Sequence, residues 1–399
     1  MKTPLLALFF SLLFCALQAQ DPHFSQFFAN RVYLNPAYAG LDPGWTVTMN
    51  YRNQWFGIPD GDISTFNQSF RTYQVTADLQ VPCMFGLDDV NGGFALSVFR
   101  DEAGGAPFVT QGAGLAFSHE QQLIRKGNKN TFLKLRRLDL RMGGQLSFMQ
   151  KAIDGNYFLY SDQLDPVVGI IENPSVLQLS SRWFPNVNAG FMFRGYRYRS
   201  EQRNTLFTVG FSFSNVNQPN ESIREVAEAF KLPMRFTFHA GTTHRITNYK
   251  GVRAPAYISP QFRWDSQSAF RLNLHSVGAY VFSKGYYTGL FFQYNFPNAN
   301  NAGNLPLSNN FLFKNTSTLI LNAGVDLKSV FDLNQTWKRR KSGIVLGFTY
   351  DVNLTGLTSN NSLGVLEFNL RMNFDNGGPR DCGEIGRFEL YGGKCPVRF

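Results

Sequence analysis

The sequence predicts an all-β chain: a single antiparallel transmembrane β-barrel of about 14 strands, with an N-terminal signal peptide and an aromatic N-terminal segment that plugs or braces it. Three observations carry the prediction. Apolar and polar residues alternate with period two along much of the chain, and helical periodicity is scarce. Charged residues make up 17%, against about 25% in soluble chains, while aromatic residues reach 15%, with 40 Phe and 16 Tyr. Beyond the first segment, no apolar run approaches the ~18 residues that a spanning helix needs. A soluble β-sandwich would meet the last two conditions; the strand lengths and the loop asymmetry described below favour a barrel.

Residues 1–19 have the form of a secretory signal peptide. Lys2 gives a positive start, Leu5 to Leu17 an apolar stretch, and Ala16 and Ala19 the small residues before cleavage, placed after Ala19 or Gln20. Cys15 raises the alternative of a lipoprotein, although Phe14 before it is not the small residue such processing favours. Residues 20–44 follow, dense in aromatics yet ahead of the first strand. Phe24, Phe27 and Phe28 fit one helical face; Tyr33 and Leu34 follow, and Asn35-Pro36 ends any such helix. So apolar a segment should pack against the barrel mouth or inside the lumen.

The barrel is expected over residues 45–374. Strands are expected to start near Trp45, Phe66, Gly93, Phe108, Asp139, Asn188, Leu206, Met234, Ala256, Phe270, Tyr286, Leu319, Gly343 and Leu363. Between Leu138 and Gln150, Leu140, Met142, Leu146 and Phe148 share one face, and Asp139, Arg141, Gln145 and Ser147 the other. Leu366, Phe368, Leu370, Met372 and Phe374 likewise alternate with Glu367, Asn369, Arg371 and Asn373. One face suits lipid and the other water. The three longest polar connections, 152–187, 216–233 and 297–318, follow the fifth, seventh and eleventh strands, so all open on one end. With the N-terminus in the periplasm, that is the outer end, where bacterial barrels carry their long loops.

Basic residues cluster in turns at the other end: Arg125, Lys126, Arg136 and Arg137 in one, and Lys338, Arg339, Arg340 and Lys341 in another. With a net charge of +10, such a rim serves either attraction to anionic outer-membrane lipid or docking of a periplasmic protein. Export argues against nucleic acid. Residues 375–399 form a periplasmic tail in which Cys382 and Cys395 either pair or remain free thiols.

No catalytic, metal or cofactor constellation emerges, and no small-molecule substrate is indicated. His239 and His244, five apart on a strand, face opposite sides, and His119 beside Glu120 reads as a strand-end pair. HExxH, paired CxxC, GxSxG and P-loop patterns are missing. The acidic pairs Asp60/Asp62, Asp88/Asp89 and Asp101/Glu102 read as solvated turns. The chain is therefore read as a non-enzyme.

The stretch from Asp21 to Gly40 reads DPHFSQFFANRVYLNPAYAG. It resembles the opening of the PorP/SprF family of type IX secretion membrane proteins. Further matching blocks are Asn217-Gln218-Pro219-Asn220 with Leu232-Pro233 and His239-Ala240-Gly241, then Tyr350 to Leu354, then the closing Cys395 to Phe399. The resemblance implies a Bacteroidota outer-membrane barrel that takes part in type IX secretion and, in some members, gliding motility. It implies partners among periplasmic ring and motor components, or a secreted surface adhesin with a type B C-terminal domain. The rival reading is a passive porin, made anion-preferring by Arg71, Arg141, Arg271 or Arg371 if these point inward.

Overall fold

The computed structural model describes residues 23–26, 28–57, 69–81, 90–103, 108–125, 135, 137–153, 164–165, 169–170, 179–198, 204–223, 231–246, 256–267, 272–283, 285–295, 317–327, 330, 343–354 and 363–374. Residues 1–19, expected to be a signal peptide, residues 375–399 with Cys382 and Cys395, expected to be a tail, and Lys126, Arg136 and Lys338 to Lys341, expected in turns, lie outside them.

Fourteen strands form the wall: β1 (Trp45–Gln54), β2 (Phe70–Val81), β3 (Val90–Ala103), β4 (Phe108–Arg125), β5 (Arg137–Ile153), β6 (Phe184–Tyr198), β7 (Asn204–Ser214), β8 (Arg235–Arg245), β9 (Ala256–Gln267), β10 (Leu272–Ser283), β11 (Tyr286–Asn295), β12 (Ser317–Asp326), β13 (Gly343–Asn353) and β14 (Val365–Phe374). Each pairs antiparallel with its neighbours in sequence, and β1 pairs with β14 from Trp45↔Phe374 to Gln54↔Val365, so the ring closes. Closure satisfies every ladder N–H and C=O without a free edge, the condition for a sheet to survive in lipid. Every expected strand is present. Starts differ by up to a few residues, as at Phe70 for Phe66 and Phe184 for Asn188. β3 to β6 are longer than the rest, and β4 carries an irregularity between Gln122 and Ile124.

Alternation sorts the side chains. Outward go Phe94, Leu96, Val98, Leu115, Phe148, Val277, Leu290 and Phe368, with Leu115 67% exposed. An apolar surface of that extent is the mark of a lipid-facing belt. Inward go Thr46, Thr48, Asn50 and Arg52 on β1, Gln74 and Asp78 on β2, Asp139 and Arg141 on β5, and Glu367 and Asn369 on β14, all buried. The connections after β5, β7 and β11 share the end of the ring where β1 finishes at Gln54. Short strands inside the first of them, Leu164–Asp165 with Gly169–Ile170 and Leu179–Ser180 against β5, were not anticipated. No helix among the described residues is long and apolar enough to cross a membrane.

Candidate functional site

The lumen of this barrel holds residues 23–26 and 28–44 of the same chain. The sequence puts Phe24, Phe27 and Phe28 on one helical face and ends any such helix at Asn35-Pro36; among the described residues the helical part is one turn at Arg31–Leu34, which does end at Asn35, followed by a 3-10 turn at Pro36–Tyr38. Ahead of that turn the chain bends at Ser25 and Gln26 and turns at Phe28 and Ala29, where Ala29 N donates to the Gln26 carbonyl at 3.0 Å, and two of its main-chain N–H groups bond to the wall. Ser25 N and Gln26 N donate to the Glu367 carboxylate at 2.7 and 3.0 Å. Asn35 ends the helical turn in an extended conformation, and its side chain accepts from Ala37 N at 2.9 Å, starting the 3-10 turn.

Glu367 and Asp351 are adjacent inward carboxylates served by Arg52. Arg52 Nη1 donates to Glu367 at 2.6 Å and lies 3.8 Å from Asp351, which also accepts from the Ser25 hydroxyl. Arg263 donates to the Phe24 carbonyl at 3.1 Å and pairs with Asp265 at 2.6 Å. His23 Nε2 lies 3.5 Å from Asp265. Burial, then the Arg263 charge, pulls the His23 imidazole down to about 4, so at neutral pH it is uncharged and Arg263 is the counter-ion of Asp265. Further along, the segment's Asp42 accepts from its own Arg31 and from Arg371 of β14. Arg141, fully buried, donates to the Ala37 and Ala39 carbonyls at 2.9 and 2.7 Å, to Ser118 at 2.8 Å, and to Glu120.

The aromatic residues foreseen in this segment find separate seats. Phe28 packs edge-on against Tyr280, with ring centres 4.4 Å apart, within an apolar cluster that includes Tyr257, Phe291 and Ile320. Phe24 meets Tyr33 at 5.5 Å, and the Arg235 guanidinium lies over the Tyr33 ring at 5.0 Å. The Leu34 carbonyl accepts from Ser212 at 2.7 Å. Asn35, wholly buried, donates to the Phe191 and Phe211 carbonyls at 3.2 and 3.1 Å and touches His239. Pro36 is buried beside it, and Phe27 lies outside the described residues. Hydrogen bonds or ion pairs thus join the segment to β1, β2, β4 to β9, β11, β13 and β14, and apolar packing joins it to β3, β10 and β12.

The wall makes room for this chain with glycine. A β-carbon on Gly93 would sit 2.4 Å from Gly40 Cα, and one on Gly143 would sit 2.5 Å from Ala37 N. Gly40 itself has φ +59, a conformation that glycine adopts at no steric cost.

The cationic residues separate. Arg141 and Arg371 point inward but are committed to the segment, Arg71 donates to Ser69, and Arg271 lies outside the described residues. Of the basic turn residues, Arg137 turns inward to Asp139 and Glu120, and Arg125 ends β4. His239 faces the lumen, whereas His244 bonds to Thr205 and Thr242. Among the described residues no three His, Cys, Asp or Glu side chains form a metal-sized group. From sequence, Glu367 falls on the polar face of its strand and Glu120 reads as a strand-end partner of His119, but none of Glu120, Asp265, Asp351 and Glu367 is assigned an ion pair or a contact with the segment. The available signal was an acid or arginine at an inward position of a membrane strand.

The match that decides the family is one over residues 16–372, to "Type IX secretion system membrane protein PorP/SprF". The chain belongs to the PorP/SprF family. A PorP/SprF protein built as a closed barrel with an apolar belt is an outer-membrane protein of the type IX secretion system, and membership implies interaction with other components of that system. No curated protein matches the sequence significantly. Solved structures of similar shape include a Pseudomonas aeruginosa FadL homologue (TM-score 0.39, 12% identity, 83% of this chain and 90% of that one). Pseudomonas putida OprB gives 0.35, 10%, 84% and 93%. The β domain of the Bordetella autotransporter BrkA gives 0.38, 8%, 84% and 98%.

Proposed function

We propose that this PorP/SprF protein is a non-catalytic scaffold of type IX secretion, which holds a secreted cargo or a partner component at the outer membrane and does not conduct solutes. The observation that carries the reading is the tethering of residues 23–26 and 28–44 to the inner face around the whole ring. Wall arginines that would line a conducting pore are instead paired with the segment or with wall carboxylates. The segment is read as a brace and plug. It supplies counter-charges and apolar side chains to a lumen that fourteen strands make too wide for wall side chains alone.

On this reading the connections after β5, β7 and β11 face outward, towards a surface-retained cargo such as an adhesin with a type B C-terminal domain. The basic turns with Lys126, Arg136 and Lys338 to Lys341, and the tail with Cys382 and Cys395, face periplasmic ring or motor components and the lipid surface. Deleting Asp21 to Gly40 tests the reading. Barrel assembly or cargo display should fail, and any barrel that does insert should conduct in planar bilayers. Normal assembly, normal display and low conductance without the segment would overturn it. High conductance in the intact protein would favour the porin reading.

A further inference from the structure

On the lipid side, outward residues of β12, β13, β14, β1 and β2 border an apolar groove of about 590 Å3. Register shows how it is built. Phe348, Phe368, Tyr51 and Tyr73 are successive partners on four strands and point outward. Their rings touch in sequence at 5.2, 6.4 and 5.1 Å, so they make one continuous aromatic ridge. Two residues away on the same strands, Leu346, Leu370, Met49 and Val75 are likewise successive partners and make a parallel aliphatic ridge. The floor between them is strand backbone, with Gly324 opposite Gly347. At that end the aromatic ridge finishes on Ala323, the partner of Phe348, whose small side chain leaves the groove open.

Behind the floor of the groove stands Tyr287 of β11. Gly324 and Gly347 have no side chain: a β-carbon on either would sit 2.3 or 2.4 Å from the Tyr287 side chain, whose hydroxyl accepts from Gln26 at 2.8 Å. The two glycines thus leave room on the inner face for the Tyr287 ring and its bond to the segment, and on the outer face leave the floor of the groove as bare backbone.

The dimensions select an occupant. Two residues along a strand separate the ridges by about 7 Å, too little to seat a helix of roughly 10 Å diameter and enough for one extended hydrocarbon chain. Across five strands the groove runs about 19 Å, slightly more than the ~15 Å that a lipid tail spans in one leaflet of a 30 Å core. The floor offers no hydrogen bonds, because its N–H and C=O groups are used in the ladder. Within the belt, water is excluded and an empty apolar groove would forfeit its dispersion contacts. The geometry points to a binding site for one acyl chain of a bilayer lipid, held longer than the lipids around the rest of the wall.

Native mass spectrometry of the full-length barrel tests this after reconstitution with palmitoyl-oleoyl phosphatidylethanolamine and transfer to mild detergent. The intact protein should keep one lipid at collision energies that strip the others. Ala323→Trp, which fills the groove from its open end, should lower that adduct at least fivefold. Leu115→Trp, equally lipid-facing on β4, should not. Heat-modifiable gel mobility reports folding, and Val325→Phe, which narrows the aliphatic side, serves should Ala323→Trp fail to fold. Absence of a durable adduct, or one unchanged by both groove substitutions, overturns the site. So does finding a membrane protein or a lipoprotein anchor cross-linked from Ala323→Cys in cell membranes, which would assign the groove to another occupant.

Discussion

Arg141→Met should loosen the lumen segment while leaving the barrel standing. Arg141 is fully buried and gives two hydrogen bonds to segment carbonyls, at Ala37 and Ala39. A hydrogen bond from a charged donor contributes about 1.5–3 kcal/mol net, so losing both removes roughly 3–6 kcal/mol from the seating of residues 31–44. A middle value of about 4 kcal/mol is close to three powers of ten at ~1.4 kcal/mol per decade. Methionine keeps most of the side-chain volume, Arg137 still serves Glu120, and the strand ladder is main chain and unaffected. Hydrogen exchange read by mass spectrometry reports the opening directly. Amides of 31–44, including Ala39 bonded to Pro36 and Leu41 bonded to Tyr38, should exchange on the order of 10³-fold faster, with strand amides unchanged. Arg141→Lys, which keeps the charge but not the fork of donors, should fall between. An effect below about threefold in a folded Arg141→Met barrel would refute the claim that this arginine holds the segment.

Gly143→Val should displace the segment by steric conflict alone, since a β-carbon there would sit 2.5 Å from Ala37 N. The variant should keep heat-modifiable mobility but admit protease to residues 31–44 and raise bilayer conductance; an unchanged conductance and cleavage pattern would count against a snug fit at this glycine. Arg52→Leu leaves Glu367 and Asp351 together without their cation, a loss of about 3–5 kcal/mol for a broken buried pair. Adding Glu367→Gln should recover a large part of it in urea or thermal unfolding, and strict additivity of the two changes would show that the pair is idle.

The wall was legible because a membrane strand repeats every two residues and must be about ten residues long. Leu138 to Gln150 and Leu363 to Phe374 declare their inner and outer faces residue by residue, and the structure keeps those faces. Strand starts slipped where polar residues adjoin a strand, as before Phe70 and around Phe184, because exposure at a barrel rim does not distinguish strand from turn. The lumen segment was legible as apolar chain in need of cover, but its conformation was not. The spacing of Phe24 and Phe28 suggested a helix, and the decisive interaction, two main-chain N–H groups bonded to Glu367, comes from 341 and 342 residues away. No local pattern encodes a partner at that distance. Arg137 shows the same limit: counted among turn cations, it is the inward neighbour of Asp139 and pairs there.

Why the interior should be ionic follows from the same period of two. If both faces of a strand were apolar, a one-residue slip would turn the wall inside out at little cost. With Arg52, Asp78, Arg141, Asp265, Asp351 and Glu367 at inward positions, the slipped wall would put these charges into hydrocarbon, at several kcal/mol for each unsatisfied group. That choice creates a second requirement, because charges facing a lumen need partners once the ring has closed. The segment meets it at points spread around the ring: the Asp42 carboxylate for Arg371, main-chain carbonyls for Arg141 and Arg263, and N–H groups for Glu367. Each contact leaves a buried charge exposed to loss if the segment departs, so the contacts favour staying together or leaving together. Inward charge therefore fixes the register of the wall and also sets which groups a chain that fills it has to supply.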